Sequence, residues 1–360
     1  MYDIAIIGAG PAGATLARLI GRRYRVLLID RRSLDANYLE GAVGKCCGGL
    51  LAPDAQKVLG MMGLALPQQV IVGPQIFVVR TIDLESSKER YYQRFYINLD
   101  REKFDRWLFS LVPATVDVRC STLCKNIVPS GSNYELELIS DGSRHVEKAK
   151  LVIGADGASS IVRHRLFAPD PHLVRYSAIQ EWFSVKEPQP HFSVFFDRSL
   201  TDFYGWSIPK ENALLVGAAL YPRQQTSNVF TQLKTKLMAY GYPLQTPLRR
   251  EGAFVVRPRR APKVVTVLPG AALIGEAAGW ISPSSAEGLS YAFRSALLAA
   301  NSLKDGLDSF CHSYETEVTT LRRNLMVKNL KRPFMYQPLL RSLVMSSGLE
   351  AMDVLVPDES

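Results

Sequence analysis

The sequence predicts an α/β fold: a parallel nucleotide-binding sheet, an inserted antiparallel sheet, and a helical C-terminal region. Three observations predict it. Apolar runs lead into glycine-bearing turns at three distant places, residues 8–13, 154–163 and 275–279. From Ala178 to about Tyr221, four strand-like runs alternate with turns. From Leu289 onward the pattern is mostly helical.

The N-terminal unit has the fullest context. Ile4-Ala5-Ile6-Ile7 reads as a buried parallel strand, and Gly8-Ala9-Gly10-Pro11-Ala12-Gly13 follows at once. Ala14 to Ile20 continues as a helix, and Val26-Leu27-Leu28-Ile29 forms a second strand ending at Asp30. In such a β-α-β unit Gly8, Gly10, Ala12 and Gly13 make the tight turn and admit a pyrophosphate to the helix N-terminus. Asp30 stands where an acid accepts hydrogen bonds from an adenosine ribose, and Arg31 follows it as a second cofactor contact. These residues alone do not separate FAD from NAD(P).

The 360 residues allow a large core and roughly two domains. A hydrophobic fraction of 47% with 21% charged residues fits a soluble globular protein. No apolar run approaches the ~18 residues of a spanning helix, and no basic segment precedes the first strand, so no signal peptide is expected. Five cysteines without a C-x-x-C pair suggest reduced thiols in a cytoplasmic protein, and five scattered histidines suggest no metal site. The net charge of +9 is uneven. From Val318 to Leu349 there is no acid, while Arg322, Arg323, Lys328, Lys331, Arg332 and Arg341 interleave with residues such as Leu325, Met326, Leu330, Phe334 and Leu339. Such a segment either lies on an anionic membrane surface or packs on the body with a solvated basic face. No nucleic-acid module is present.

Along the chain, residues 66–97 alternate like strands, and Asp100 is an expected N-cap for the helix through Phe104, Trp107 and Leu108. Leu151-Val152-Ile153 is another buried strand leading into Gly154-Ala155-Asp156-Gly157, and Ala272-Leu273-Ile274 returns the chain to the nucleotide domain. The expected division is a discontinuous nucleotide domain at 1–70, 98–175 and 262–303. A sheet domain takes 71–97 and 176–261, and a helical region takes 304–360.

With the third glycine segment the chain resembles the geranylgeranyl reductases, within the larger group built like p-hydroxybenzoate hydroxylase. Gly275-Glu276-Ala277-Ala278-Gly279 and the run through Ser282-Pro283 to Gly288-Leu289 resemble their flavin-proximal motif. Lys45-Cys46-Cys47-Gly48-Gly49-Leu50 resembles their cysteine-glycine loop. Arg101 with Phe104-Asp105 resembles a helix that touches FAD, and Tyr204-Gly205-Trp206-Ser207-Ile208-Pro209 resembles the Y-x-W-x-F-P segment of the substrate domain. The likeness covers roughly residues 1–300.

The resemblance implies a Rossmann-like FAD-binding domain, with FAD as cofactor. Asp156 would contact ribityl or pyrophosphate oxygens, or stabilise the turn near them. Arg163 and Arg101 would pair either with phosphate or with an acid of the protein. Glu276 stands where the family usually carries Asp, so it must fold back or shift the backbone to reach the ribityl chain. Gly288 permits close approach to the flavin ring, and the backbone around Ala286 to Leu289 presents the positive end of a helix. Cys47, before Gly48-Gly49, is placed near the ring as a redox or acid group, or as a buried filler. Tyr204 and Trp206 share one strand face, lining an apolar pocket or packing an ordinary core. The expected activity is reduction of carbon–carbon double bonds in an isoprenoid or lipid, a hydrophobic substrate suited to peripheral membrane contact through the C-terminal region. NAD(P)H or another donor would supply electrons; no second complete GxGxxG unit is visible. A monooxygenase or halogenase is the second reading, against which stand Gly279 where hydroxylases usually carry His and Tyr204 where halogenases carry Trp. A non-catalytic FAD-binding protein is the third.

Overall fold

A computed structural model describes residues 1–34, 45–222, 225–259 and 265–354. At its centre lies the strand Tyr2–Ile7, between Val26–Ile29 and Ser143–Gly154, parallel to both. Ala271–Leu273 extends this sheet on one side and Asp117–Arg119 on the other, again in parallel. All four residues of Val26–Ile29 are buried, as expected of a strand covered on both faces. An antiparallel hairpin, Thr122–Ser130 with Asn133–Ser140, is added beside the upper part of Ser143–Gly154.

Register explains why three distant glycine segments meet. Ile7 pairs with Gly154, and Gly154 pairs with Leu273. The three strands therefore end level, and each runs into its glycine turn at the same sheet edge. Open α/β sheets bind ligands at that carboxyl edge. The helix Pro11–Ile20 starts there with proline in its first turn and packs on the helix Leu289–Ser302.

The second sheet runs in the order Arg249–Pro258, Leu173–Ser184, Ala213–Leu220, Gly205–Lys210, Phe192–Phe196, Ile76–Asp83, Lys88–Asn98 and Ala351–Met352. It is mixed rather than wholly antiparallel. Phe192–Phe196 pairs in parallel with Ile76–Asp83, because the two belong to separate excursions of the chain that enter the sheet from the same end. The helix Thr226–Ala239 covers one face, packing Phe230, Leu233 and Leu237 against Phe183, Phe195, Leu214 and Val216. The other face is turned toward the glycine edge.

Beyond Leu289–Ser302, Phe310 and Tyr314 of the helix Leu307–Glu317 and Leu321 and Leu325 of the helix Thr319–Tyr336 complete the first core. The helix Pro338–Ser347 then crosses to the second sheet, where the buried Arg341 meets Asp83 at 2.9 Å and Glu85 at 3.0 Å.

Of the two arrangements expected here, the helices do pack on the body, but without a wholly solvated basic face. Arg322 pairs with Glu315, Lys328 with Asp54, and Arg332 donates to the carbonyl of Arg259. Together with Arg341, four of the six basic residues are engaged by the body. What faces outward is mostly apolar: Leu330, Leu339 and Leu343 are 74%, 82% and 67% exposed, with Met326, Val327 and Phe334 beside them, while Arg323 and Lys331 are the two basic residues left exposed. Among the described residues no helix is long and apolar enough to cross a membrane.

Candidate active site

The carboxyl edge of the first sheet and the inner face of the second enclose two connected cavities of about 230 and 940 Å³. Lys45, Cys46, Gly157 and Glu276 are among the residues that line both, so the two adjoin at a neck there.

The larger cavity follows the glycine edge. Gly8 has φ +102°, and a Cβ on Gly13 would fall 1.8 Å from the Gly8 carbonyl oxygen. No side chain fits that turn, whereas the position of Gly10 is open. Gly8, Gly10, Asp30, Arg31 and Asp156 line this cavity. Asp30 accepts from the Ala9 N–H at 2.7 Å and from the Arg32 N–H at 2.8 Å. Asp156 accepts from the Ile161 N–H at 2.6 Å through Oδ2, while its Oδ1 is buried without a partner. Burial pushes its pKa up. An orphaned carboxylate oxygen beside a glycine cradle, with a second acid at the strand end, fits the hydroxyl-rich linker and the pyrophosphate of a flavin dinucleotide.

Arg163 does not join this lining. Its Nη1 donates to the Ala277 carbonyl at 2.8 Å and its Nη2 to that of Ala158 at 3.0 Å. Among the described residues no acid forms an ion pair with it; the side chain straps the second glycine segment to the third. Glu276 resolves its extra length by reaching the second sheet. Its Oε1 accepts from the Val256 N–H at 3.1 Å, and its Oε2 stands 3.6 Å from the Lys45 ammonium.

The smaller cavity is lined by Ala12, Cys47, Gly48, Gly49, Arg101, Gly288 and Leu289 on one side. Tyr96, Tyr204, Trp206 and Ile208 line the other. The helix Leu289–Ser302 begins here as expected, yet part of its N-terminal polarity is already used. Ala286 N–H donates to the Ser282 carbonyl, and Glu287 accepts from the N–H and hydroxyl of Ser290. Tyr204 donates to the Ser285 carbonyl at 2.7 Å, fixing the same loop from the sheet. Burial pushes the Tyr204 pKa up.

A chain of alternating charge links the two cavities. Asp30 meets Arg32 at 3.1 Å, Arg32 meets Asp105 at 2.9 Å, and Asp105 meets Arg101 at 2.7 Å. Arg101 Nη1 then reaches Cys47 Sγ at 3.1 Å. Arg101 therefore pairs with an acid and a thiol of the protein. Burial opposes ionisation of Cys47, but the Arg101 charge, the Gly49 N–H and Lys45 outweigh it, and the pKa is lowered. Cys46 is its opposite: burial pushes that thiol up to about 12.

Asp100 caps the helix Arg101–Ser110, accepting from Glu102 N–H and Lys103 N–H, and so sets the direction of Arg101 and Asp105. Beneath the cysteine-glycine loop, Lys210 donates to the carbonyls of Gly49 and Leu99 and to Asn98 Oδ1. Burial pushes its pKa down to about 7. Sequence reasoning missed Arg32, Lys210 and Gln180, another cavity residue. The only local signal was that Arg32 follows Asp30 and that Lys210 ends the aromatic strand motif. Among the described residues no group of three or more His, Cys, Asp or Glu side chains could hold a metal.

No family model matches the chain. Its structure is similar to a geranylgeranyl bacteriochlorophyll reductase-like protein from Thermoplasma acidophilum. The TM-score is 0.73 at 20% identity, over 92% of this chain and 85% of that one. It is also similar to the flavin-dependent halogenase CmlS, with TM-score 0.70 at 18% identity, over 100% and 75%. PqsL of Pseudomonas aeruginosa, described as a probable FAD-dependent monooxygenase, gives 0.68 at 18%, over 96% and 99%. These likenesses show a shared p-hydroxybenzoate hydroxylase-type fold. In sequence the chain is 40% identical over 350 residues to Protein CbrA of Escherichia coli O6:H1, covering 97% of this chain and 94% of that protein. With that identity sustained across nearly the whole of both proteins, the chain belongs to the CbrA family.

Proposed function

We propose that this protein is an FAD-dependent oxidoreductase that reduces carbon–carbon double bonds of an isoprenoid or lipid. One observation carries the reading: the glycine-edged cavity, suited to a flavin dinucleotide, adjoins a smaller one walled by Tyr96, Tyr204, Trp206 and Ile208. The reductase-like fold neighbour supports the same choice.

Bound FAD would supply hydride to one carbon of the double bond, and a site acid or water would give a proton to the other. The chain does the rest. Gly8 and Gly10 would let the backbone approach the pyrophosphate, and Asp156 Oδ1 would accept from a cofactor hydroxyl. The aromatic wall excludes water and orients an apolar chain. Cys46 Sγ keeps its proton at neutral pH beside the neck, while the Arg101 charge lowers the pKa of Cys47. NAD(P)H or another donor would supply the electrons.

The test is to purify the protein, record its absorption spectrum and identify what it carries by mass spectrometry. The flavin is then photoreduced without oxygen and offered an unsaturated isoprenoid alcohol. A product two hydrogens heavier, formed as flavin reoxidises, is expected. Oxygen incorporation into a substrate in air would replace this reading with the monooxygenase or halogenase reading, which the CmlS and PqsL likenesses favour. Absence of FAD even after reconstitution would end both.

The apolar ridge of Val327, Leu330, Phe334, Leu339 and Leu343 supports peripheral contact with an anionic membrane. Arg323 and Lys331 are exposed along it, and no acid interrupts residues 318–349. Two copies meeting ridge to ridge would oppose like charges, which favours lipid. Removing the helix would uncover Leu321 and Leu325, so surface substitutions test the ridge better. Leu330→Glu with Leu339→Glu should abolish sedimentation with phosphatidylserine vesicles while FAD stays bound. Unchanged sedimentation would remove the membrane from the proposal.

A further inference from the structure

On the cavity side of the second sheet, Gln180, Gly217 and Trp206 stand in one row across three neighbouring strands. Gln180 pairs with Gly217, and Gly217 pairs with Trp206. Gly217 has no side chain, and the indole leans over the gap. A Cβ at Gly217 would lie 2.5 Å from the Trp206 ring and 2.6 Å from its Nε1. The indole nitrogen therefore sits above the middle strand, about 4.8 Å (one strand spacing) from the column of Gln180. In the adjoining row Ala178 pairs with both Ala219 and Ala253, and all three line the cavity. These short side chains leave a trough against the aromatic wall.

Gln180 is 1% exposed and lines that cavity. Its Nε2 donates to Glu251 Oε2 at 2.7 Å. A carboxylate accepts and does not donate, so the amide nitrogen must face Glu251 and the oxygen must face away. That oxygen, and Trp206 Nε1, are buried without a partner among the described residues. A buried acceptor and a buried donor left unmade in an otherwise apolar trough are costly, and native proteins rarely leave such groups idle.

We propose that Gln180 and Trp206 form a hydroxyl-recognition site, so that the substrate is an apolar chain bearing an alcohol. This rests on the apolar-substrate reading above and adds the group by which the substrate is held. A hydroxyl donates to Gln180 Oε1 and accepts from Trp206 Nε1, satisfying both at once. An ionised carboxylate or phosphate has no proton to give and would face Glu251 behind the amide. An ammonium has no lone pair for the indole. A bare hydrocarbon leaves both groups unmade.

The test uses the FAD-loaded full chain and three saturated probes matched in length: 1-decanol, 1-methoxynonane and decane. Binding is read from the change in flavin absorbance, independent of turnover. The alcohol should bind on the order of tenfold or more tighter than the ether, because the ether cannot donate to Gln180. Gln180→Met should erase that alcohol-over-ether preference. Trp206→Phe, which keeps a ring over Gly217, should weaken alcohol and ether alike. Equal binding of alcohol and ether to the unsubstituted protein, or no binding of the alcohol, overturns the site without relying on any variant. The same holds if FAD itself satisfies the two groups, since the probes would then bind alike. Alcohol selectivity without reduction of an unsaturated alcohol would sink double-bond reduction and leave the recognition site standing.

Discussion

The glycine edge of the first sheet and the inner face of the second bound the same pair of cavities by opposite means. The glycine edge is backbone: Gly8 and Gly13 are needed because main-chain atoms lie where side chains would be. The inner face is side chain: Tyr204, Trp206 and Gln180 project from alternate positions of neighbouring strands, over gaps left by Gly217, Ala178 and Ala219. A backbone wall cannot yield, whereas a side-chain wall can repack. Paired glycine substitutions break or sharpen that contrast. Gly13→Ala drives a Cβ onto the Gly8 carbonyl and should cost about 4 kcal/mol or more, with loss of bound flavin. The atoms nearest to the Cβ of Gly217→Ala belong to the movable Trp206 ring, and the change should cost about 1–2 kcal/mol, with flavin retained. Denaturant midpoints and the flavin spectrum of each variant measure both. Equal losses at the two positions would erase the distinction.

The second contrast lies within the glycine edge, between neighbours. Arg31 is exposed on the rim of the larger cavity, while Arg32 lies between Asp30 and the buried Asp105. Burial works against the Arg32 charge, but Asp105 and Asp30 raise its pKa and hold it. Arg32→Leu leaves Asp105 with Arg101 alone and Asp30 with its backbone donors, and should cost about 3 kcal/mol. Arg31→Ala should change stability by less than ~0.5 kcal/mol. Thermal unfolding of the two variants, each with flavin bound, decides it; a larger loss from Arg31→Ala would show that the rim, not the buried chain, organises this edge.

The same pair shows what a sequence can carry. The β-α-β turn was legible because Gly8, Gly13, the strands and Asp30 lie within thirty residues and obey local rules. The helix cap at Asp100 was legible for the same reason. Arg32 was not, because its value comes from Asp105, which a separate helix brings to it. Gln180 looked like any polar residue in a strand until register set it beside Gly217 and Trp206. The C-terminal helices misled more directly. Spacing alone could not say that Asp54, Asp83 and Glu315 would turn three of the basic side chains inward and leave leucines outside. Charge pattern reads correctly only once the partners' positions are known.

The smallest effect concerns the two adjacent cysteines, where the walls meet. Cys47 touches Arg101 of the first wall, and Cys46 lies against the Ala178 carbonyl of the second. Burial raises both thiols and Lys45 opposes it at both, but only Cys47 also has the Arg101 guanidinium and the Gly49 N–H to reverse it. Since thiolates and not thiols are alkylated, iodoacetamide near neutral pH should modify Cys47 well before Cys46, as mapped by peptide mass spectrometry. A folded pKa below the ~8.5 of a free thiol makes the thiolate's contribution to stability complete above that value. It is lost as pH falls through the folded pKa, and Cys47 labelling should fade over the same fall. Arg101→Gln removes the cation while keeping hydrogen-bonding groups beside Asp105, so the labelling curve should move to higher pH. An unmoved curve would mean that the Gly49 N–H and Lys45 suffice. Faster labelling of Cys46 would place the reactive thiol on the sheet side of the neck, and the alternating chain from Asp30 to Cys47 would then serve packing alone.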